Sequence, residues 1–321
     1  MSTSRVGTMP KFTALSTFRS EPGKTLSPYL QATLRKPFSH FGVGLHSGRV
    51  TRVTIHPGAP NTGYLVSRIQ RGAIEEVPAT WTNYVPQYMC TGIQSRSGAV
   101  IRTVEHLLAS LSAFGIDNAR IDIEGEELPI LDGSALPWCH SILEAGLAEQ
   151  DEPRRYLRIM RPVELVEDPG RWLRIEPAET FSLRITSDPQ GFGLLTWDGE
   201  PSPERFLREI APSRSHGPLI GYFAKLFFAL TGQSRLRGVN FQTVAFTVRG
   251  HYLGGMRIPD EPVRHRVLDL LGDLALSGMP LLGRVTGHGT SHRLNNMFLR
   301  TLMESTDAWQ EITLSGDQHS A

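Results

Sequence analysis

The feature that most constrains this chain is a helix entrance written twice. Val104-Glu105-His106 opens an apolar-periodic run that Gly115 ends, and Val263-Arg264-His265 opens another that Gly278 ends. The second run is four residues longer between its histidine and its glycine, about one helical turn. A chain built twice on one plan can set two equivalent helices against each other at a pseudo-twofold axis, and two histidines then meet. Asp269 follows His265 by four residues, on the same helical face. His106, His265 and Asp269 together offer three ligands, and three protein ligands plus one water make up a catalytic zinc site.

The repeat extends beyond these helices. Strand patterns at Gln31–Leu34, Val50–His56 and Gly63–Val66, with a further pair around Cys90, precede a helix over Glu105–Phe114. A strand at Ala119–Ile123, a turn at Leu131-Asp132-Gly133-Ser134 and a helix over Leu136–Ala145, ended by Gly146, complete the first set. Glu149–Arg155 is charged, contains Pro153 and lacks apolar periodicity, so a boundary is expected there: one domain over 29–150, a second over 151–312. The second set reads as strands at Leu157–Val166, Trp172–Pro177 and Ser182–Ser187, then a loop-rich insert from Pro189 to Glu204. An apolar helix near Leu219–Thr231, a strand over Val239–Val248 and a helix over Val263–Leu276 follow. A short strand at Leu281–Val285 and a helix over Asn295–Met303 end it. Both halves run strands, helix, strand, turn, helix, which marks an internal duplication.

Bulk properties set limits. The 321 residues suit two ordinary domains, and 40% hydrophobic with 20% charged residues supports a real core. A net charge of +1 argues against nucleic acid as a partner and against a field that recruits membrane. Cys90 and Cys139 provide no disulfide framework, which fits a reducing cytoplasm. The most apolar segment, Tyr222–Leu230, is too short to span a bilayer and carries Lys225, so stable membrane insertion is not expected. Residues 1–28 lack the apolar stretch of a signal peptide and read as a disordered tail, with Met9 as a candidate later start; 313–321 read as a second tail.

Glu105 stands directly before His106, where a carboxylate can take a proton from a metal-activated water. The loop Gly287-His288-Gly289-Thr290-Ser291-His292 brings a histidine that, once protonated, can stabilise an oxyanion or protonate a leaving amine. Asp273, four residues past Asp269, can hold such a histidine charged. Cys90 reads either as a reactive thiol or as a small buried apolar group. The helix near 219–231 reads as core or as the wall of a groove for a lipid chain.

Taken together these residues resemble the UDP-3-O-(3-hydroxyacyl)-N-acetylglucosamine deacetylase family, zinc enzymes of lipid A synthesis. The resemblance runs over roughly 29–312. It rests on Gly42-Val43-Gly44-Leu45-His46-Ser47-Gly48, Asn61-Thr62-Gly63, Cys90-Thr91 and Thr103-Val104-Glu105-His106. Further on it rests on Gly115-Ile116-Asp117-Asn118, Pro129-Ile130-Leu131-Asp132-Gly133-Ser134-Ala135, Val263-Arg264-His265, Asp269, Gly272-Asp273 and His292-x-Leu294-Asn295-Asn296. It implies two similar α+β domains, each a sheet packed with helices. The helices face each other around an interdomain zinc site, and each domain carries a small insert. It implies His106, His265 and Asp269 as zinc ligands, Glu105 as general base, His292 as catalytic histidine and Asp273 as its support. The apolar helix near 219–231 would border the passage for the acyl chain.

The chain departs from the family at several positions. Arg266 stands where lysine is usual, a change in reach and hydrogen-bond geometry. Ser215-His216-Gly217 replaces Thr-Phe-Gly, keeping a hydroxyl for the oxyanion but exchanging an aromatic wall for imidazole. Asp188-Pro189-Gln190-Gly191-Phe192 replaces Asp-Phe-x-His-Pro, and Gly289-Thr290-Ser291-His292 replaces Lys-Ser-Gly-His. The resemblance makes Ser215 a catalytic position, and Arg266, His216 and Cys90 the positions against the substrate. The expected reaction is hydrolysis of the acetamide on an acylated UDP-sugar by a monomeric, cytoplasmic zinc enzyme, with iron(II) as an alternative metal. A paralogue acting on another N-acetylated sugar or nucleotide, or an inactive binding module, are the competing readings.

Overall fold

The computed structural model describes residues 26–70, 72–231 and 235–314, without the side chains of 224–227 and 229. The first half opens with β1 (Leu30–Leu34), β2 (Phe38–Val43), β3 (Val50–Pro57), β4 (Tyr64–Gln70) and β5 (Ala73–Pro78). A small insert follows, β6 (Tyr84–Gln87), β7 (Cys90–Gln94) and β8 (Val100–Arg102). Next come α1 (Glu105–Ala113), β9 (Ala119–Ile123), α2 (Leu136–Ala145) and β10 (Leu147–Pro153). The second half runs β11 (Arg155–Ile159), β12 (Val163–Asp168), β13 (Arg171–Glu176), β14 (Phe181–Ser187), β15 (Leu195–Gly199) and α3 (Pro203–Glu209). Its own insert is β16 (His216–Pro218), α4 (Ile220–Leu230), β17 (Ala245–Val248) and β18 (His251–Tyr252). Then come α5 (Glu261–Leu274), β19 (Leu281–His288), α6 (His292–Glu304) and β20 (Trp309–Thr313).

The duplication is visible in the topology. One sheet has the order β2-β3-β9-β4-β5, and the path β12-β13-β19-β14-β15 repeats it. In each, the strand that follows the long helix pairs antiparallel on one side and parallel on the other: β9 with β3 and β4, β19 with β13 and β14. β11 and β20 extend the second sheet. Alternation buries Val53 and Ile55 of β3 and Ile121 and Ile123 of β9, and a single apolar core continues into Leu173, Ile175, Leu183 and Ile185 of the other half. The fold is therefore two α+β units, each a sheet packed with helices and each carrying a small insert.

Helices α1 and α5 meet between the sheets. Gly272 permits that approach, because a Cβ there would stand 2.1 Å from the Glu105 carbonyl oxygen. The half that carries His106 is thus pressed against the half that carries His265.

Several local expectations differ from the structure. Residues 149–153, read as lacking periodicity, belong to β10, which pairs with the buried strand β1 in a two-stranded ribbon. Leu157–Val166 divides into β11 and β12, and β15 lies inside the segment read as loop. The strand expected over Val239–Val248 begins only at Ala245, because Asn240 and Thr243 tie the preceding residues into a turn, Asn240 Oδ1 accepting from Gln242 N at 2.7 Å. α6 starts at His292, three residues before the expected Asn295, since Ser291 caps it by accepting from Leu294 N. The tail expected over 1–28 gives way to ordered chain by Ser27, whose amide donates to Glu149 Oε1 at 2.6 Å. Pro28 accepts from the Tyr156 hydroxyl at 2.7 Å. Residues 1–25 and 315–321 lie outside the described residues.

Candidate active site

Glu105 and His106 are the first two residues of α1, and the chain is steered into that helix by Thr103. Its φ of 60° lies in the left-handed region, unusual for a β-branched residue. Its amide donates to the Thr91 carbonyl at 2.9 Å and its hydroxyl to Glu127 Oε1 at 3.2 Å, which holds the strained turn. From α5, His265 and Asp269 project one turn apart toward the same point. Asp269 Oδ1 lies 3.7 Å from His106 Nε2 and 3.5 Å from His265 Nε2, and the two imidazoles stand edge to face with centroids 5.2 Å apart.

The donor set fits a metal. The three ligand atoms lie within 4.8 Å of one another and all three residues are buried. Asp269 Oδ1 is buried with no hydrogen-bond partner among the described residues, a costly condition that a divalent cation relieves. His265 Nδ1 lies 3.2 Å from the Ser213 carbonyl, which can only accept, so Nδ1 carries the proton and Nε2 presents its lone pair. Burial raises the Asp269 carboxyl, but His265, His292 and His106 outweigh it and hold the group well below the usual carboxylate range. Burial pulls His265 down to about 4, so it is neutral and able to ligate. Zinc and iron(II) both suit two imidazoles and one carboxylate.

Two titratable groups flank the trio. Burial pushes Glu105 up to about 7, with His292 and His106 opposing. One of its oxygens accepts from the Thr91 amide at 3.1 Å, and the other lies 3.8 Å from His292 Nε2. His292 is the first residue of α6. Burial disfavours its charged form, but Asp273, Asp269 and Glu105 overcome this and raise it to about 10. Its Nδ1 lies 3.0 Å from Asp273 Oδ2, which also accepts from Asn295 Nδ2 at 2.8 Å. The Thr91 hydroxyl donates to the other Asp273 oxygen.

Glu105, His106, His265, Asp269 and His292 line a cavity of about 570 Å³ that Ser215, His216 and Arg266 also line. Its apolar wall is Leu45, Ile130, Leu236, Val239, Val244 and Phe246, and Gly221, Tyr88 and Met89 are among the other lining residues. Ser215 reaches the cavity because its backbone bridges the halves: its amide donates to Gly133 O at 2.6 Å and its carbonyl accepts from Ala245 N at 2.9 Å. Gly133, at φ +82°, makes room, since a Cβ there would stand 2.4 Å from Thr243 O. Burial pulls His216 down to about 3. Asp273 sits behind His292, fully buried and outside the cavity lining. Cys90 is apart from the others: it is buried, absent from the cavity lining, and burial pushes its thiol up. Its neighbour Thr91 makes the contacts instead, through a backbone amide and a hydroxyl that residue-type reading passes over.

A frame built twice, with a Glu-His pair from one copy set against a His and an Asp from the other, is the frame of a metal-dependent hydrolase. A family model described as UDP-3-O-acyl N-acetylglycosamine deacetylase matches residues 31–304, and the chain belongs to that family. It is 34% identical over 292 residues to a UDP-3-O-acyl-N-acetylglucosamine deacetylase of Phenylobacterium zucineum, covering 89% of this chain and 98% of that one. It is 33% identical over 296 residues to the enzyme of that name from Aliivibrio fischeri, covering 90% and 95%. To that of Histophilus somni it is 32% identical over 289 residues, covering 88% and 93%.

Proposed function

We propose that this protein hydrolyses the acetamide of UDP-3-O-(3-hydroxyacyl)-N-acetylglucosamine, releasing acetate in lipid A synthesis, with zinc held by His106, His265 and Asp269. The observation that carries the reading is the position of Glu105 and His292, 3.8 Å from each other and close beside that trio, in a cavity whose wall is apolar. Bound there, zinc would supply Lewis acidity at the carbonyl and a water more acidic than bulk water. Glu105 is placed to accept the proton of the attacking water as the water oxygen bonds to the acetamide carbon, a role suited to a carboxyl tuned near neutrality. His292, kept charged by Asp273, faces the negative charge that develops on the carbonyl oxygen, and the Ser215 hydroxyl adds a donor. When the C–N bond breaks, acetate leaves and the proton taken up by Glu105 passes to the amine nitrogen.

The apolar wall suits a fatty chain. Arg266 and His216, at the polar end, are the residues we assign to the UDP-sugar; Cys90 contributes by packing. The reading includes a monomer working in the cytoplasm. No helix among the described residues is long and apolar enough to cross a membrane. The test is acetate release from UDP-3-O-(3-hydroxymyristoyl)-N-acetylglucosamine with and without a zinc chelator. Chelator-sensitive release is expected. A protein with stoichiometric metal and no release would overturn this substrate, and turnover of other N-acetylated sugars would then separate a paralogue from an inactive binding module.

A further inference from the structure

A net charge near zero conceals a strong separation of charge along this chain. Residues 22–74 contain seven Lys/Arg and no Asp or Glu, and residues 210–259 contain six and none. The remainder therefore carries 20 basic residues against 32 acidic ones. The fold joins the two acid-free stretches: Arg237 N donates to His46 O and Gly238 N to Leu45 O, each at 3.0 Å. At that junction lies the most exposed apolar surface of the second insert. Ile220, Phe223 and Leu230 of α4 are 76%, 62% and 79% exposed, and Phe241, stacked beside Tyr222 at 5.8 Å, is 65% exposed. Isolated apolar side chains on a surface need no explanation, but a contiguous patch of this kind marks an interaction site.

We propose that α4 and the turn around Phe241 dock this protein on an anionic phospholipid surface. The charge around the patch selects that partner. Arg235 lies over the rings of Phe228, on α4, and Tyr88, at 5.8 and 5.1 Å, and it is exposed. Arg237 is exposed and makes no ion pair among the described residues. Aromatic and aliphatic side chains flanked by arginines are the composition of an interfacial segment, where rings enter the headgroup boundary and cations meet lipid phosphates. An 11-residue helix is about 16 Å long, too short to span and long enough to lie in the interface. The patch is continuous with the cavity, because Gly221 of α4, Tyr88 and Met89 line both. A docked molecule would turn the mouth of its apolar passage toward the bilayer.

Vesicle co-sedimentation of the full chain tests this, and it needs no substrate, so its failure and a failure of the deacetylase reading are separate results. Vesicles of phosphatidylethanolamine with phosphatidylglycerol should bind the protein at low salt and release it at high salt, while phosphatidylcholine vesicles should bind it weakly. Phe223→Glu combined with Phe241→Glu should weaken binding at least about tenfold, with the circular dichroism spectrum and metal content unchanged. Arg235→Glu combined with Arg237→Glu should weaken binding to anionic vesicles by about 25-fold, about fivefold per cation removed, and leave binding to neutral vesicles alone. Equal binding to both vesicle types, or unchanged binding by the Phe variant, would overturn the proposal. So would concentration-dependent dimerisation that the Phe variant abolishes in a protein that does not bind vesicles, since the patch would then cover a second copy.

Discussion

The two copies of the helix entrance have diverged in opposite directions. In α1 the residue before the histidine is Glu105, which faces the cavity; in α5 it is Arg264, which turns away to donate to Pro259 O at 2.7 Å and Glu209 O at 3.0 Å. One turn after the histidine, α1 has Ser110, whose hydroxyl donates back to His106 O at 2.8 Å, while α5 has Asp269, the carboxylate between the two imidazoles. Duplication supplied two histidines facing each other. On the proposed mechanism the copies had to differ, one contributing a base and the other a third ligand. A perfectly symmetric pair would have had two bases and no ligand carboxylate, or the reverse.

That division of labour can be broken position by position. The largest effect is expected from Asp269→Ala. Changes behind metal ligands cost about 10–100-fold in affinity or activity, and loss of one ligand from a buried set of three should exceed this. Metal analysis after dialysis should find the site depleted and acetate release at background. Asp273→Asn comes next, with activity lowered about 10–100-fold while metal content holds. Removing that negative charge disfavours protonated His292, so the proton is lost at lower pH and the alkaline limb of kcat/KM moves down. Arg264→Ala should leave kcat nearly unchanged and lower stability by about 1 kcal/mol, read as a denaturation midpoint. Ser110→Ala, the counterpart of Asp269, should have the smallest effect: its hydrogen bond to His106 O and the weak one it accepts from Cys139 Sγ are lost, about 1 kcal/mol in all, with full metal content and turnover. A large fall in metal content in Ser110→Ala would mean that the two copies are less specialised than described.

The sequence made the duplicated frame legible because both long helices have an apolar period and glycine ends, and α2 has the expected bounds, Leu136–Ala145 with Gly146 just past its end. The ligand trio was legible because i,i+4 spacing on α5 is itself geometry. Other parts depended on partners that no local pattern reveals. β10 carries no strand pattern of its own because its stability comes from pairing with β1, some 120 residues earlier in the chain. His292 looked like a loop residue although Ser291 is a good cap, because the apolar residues of α6 begin only at Leu294. Thr91 stands in the Cys90-Thr91 motif but received no role from the sequence, since its part is played by a backbone amide toward Glu105 and a hydroxyl toward Asp273. The charged patch escaped because a net charge of +1 averages over the chain.

The measurement that bears most directly on the central claim is metal content and acetate release in purified Glu105→Ala. If α1 contributes the base and the trio alone holds the metal, the variant keeps one metal per chain and loses about 10²–10⁴-fold in turnover. Near-normal turnover with metal in place would contradict the account, because the base would then have to lie elsewhere.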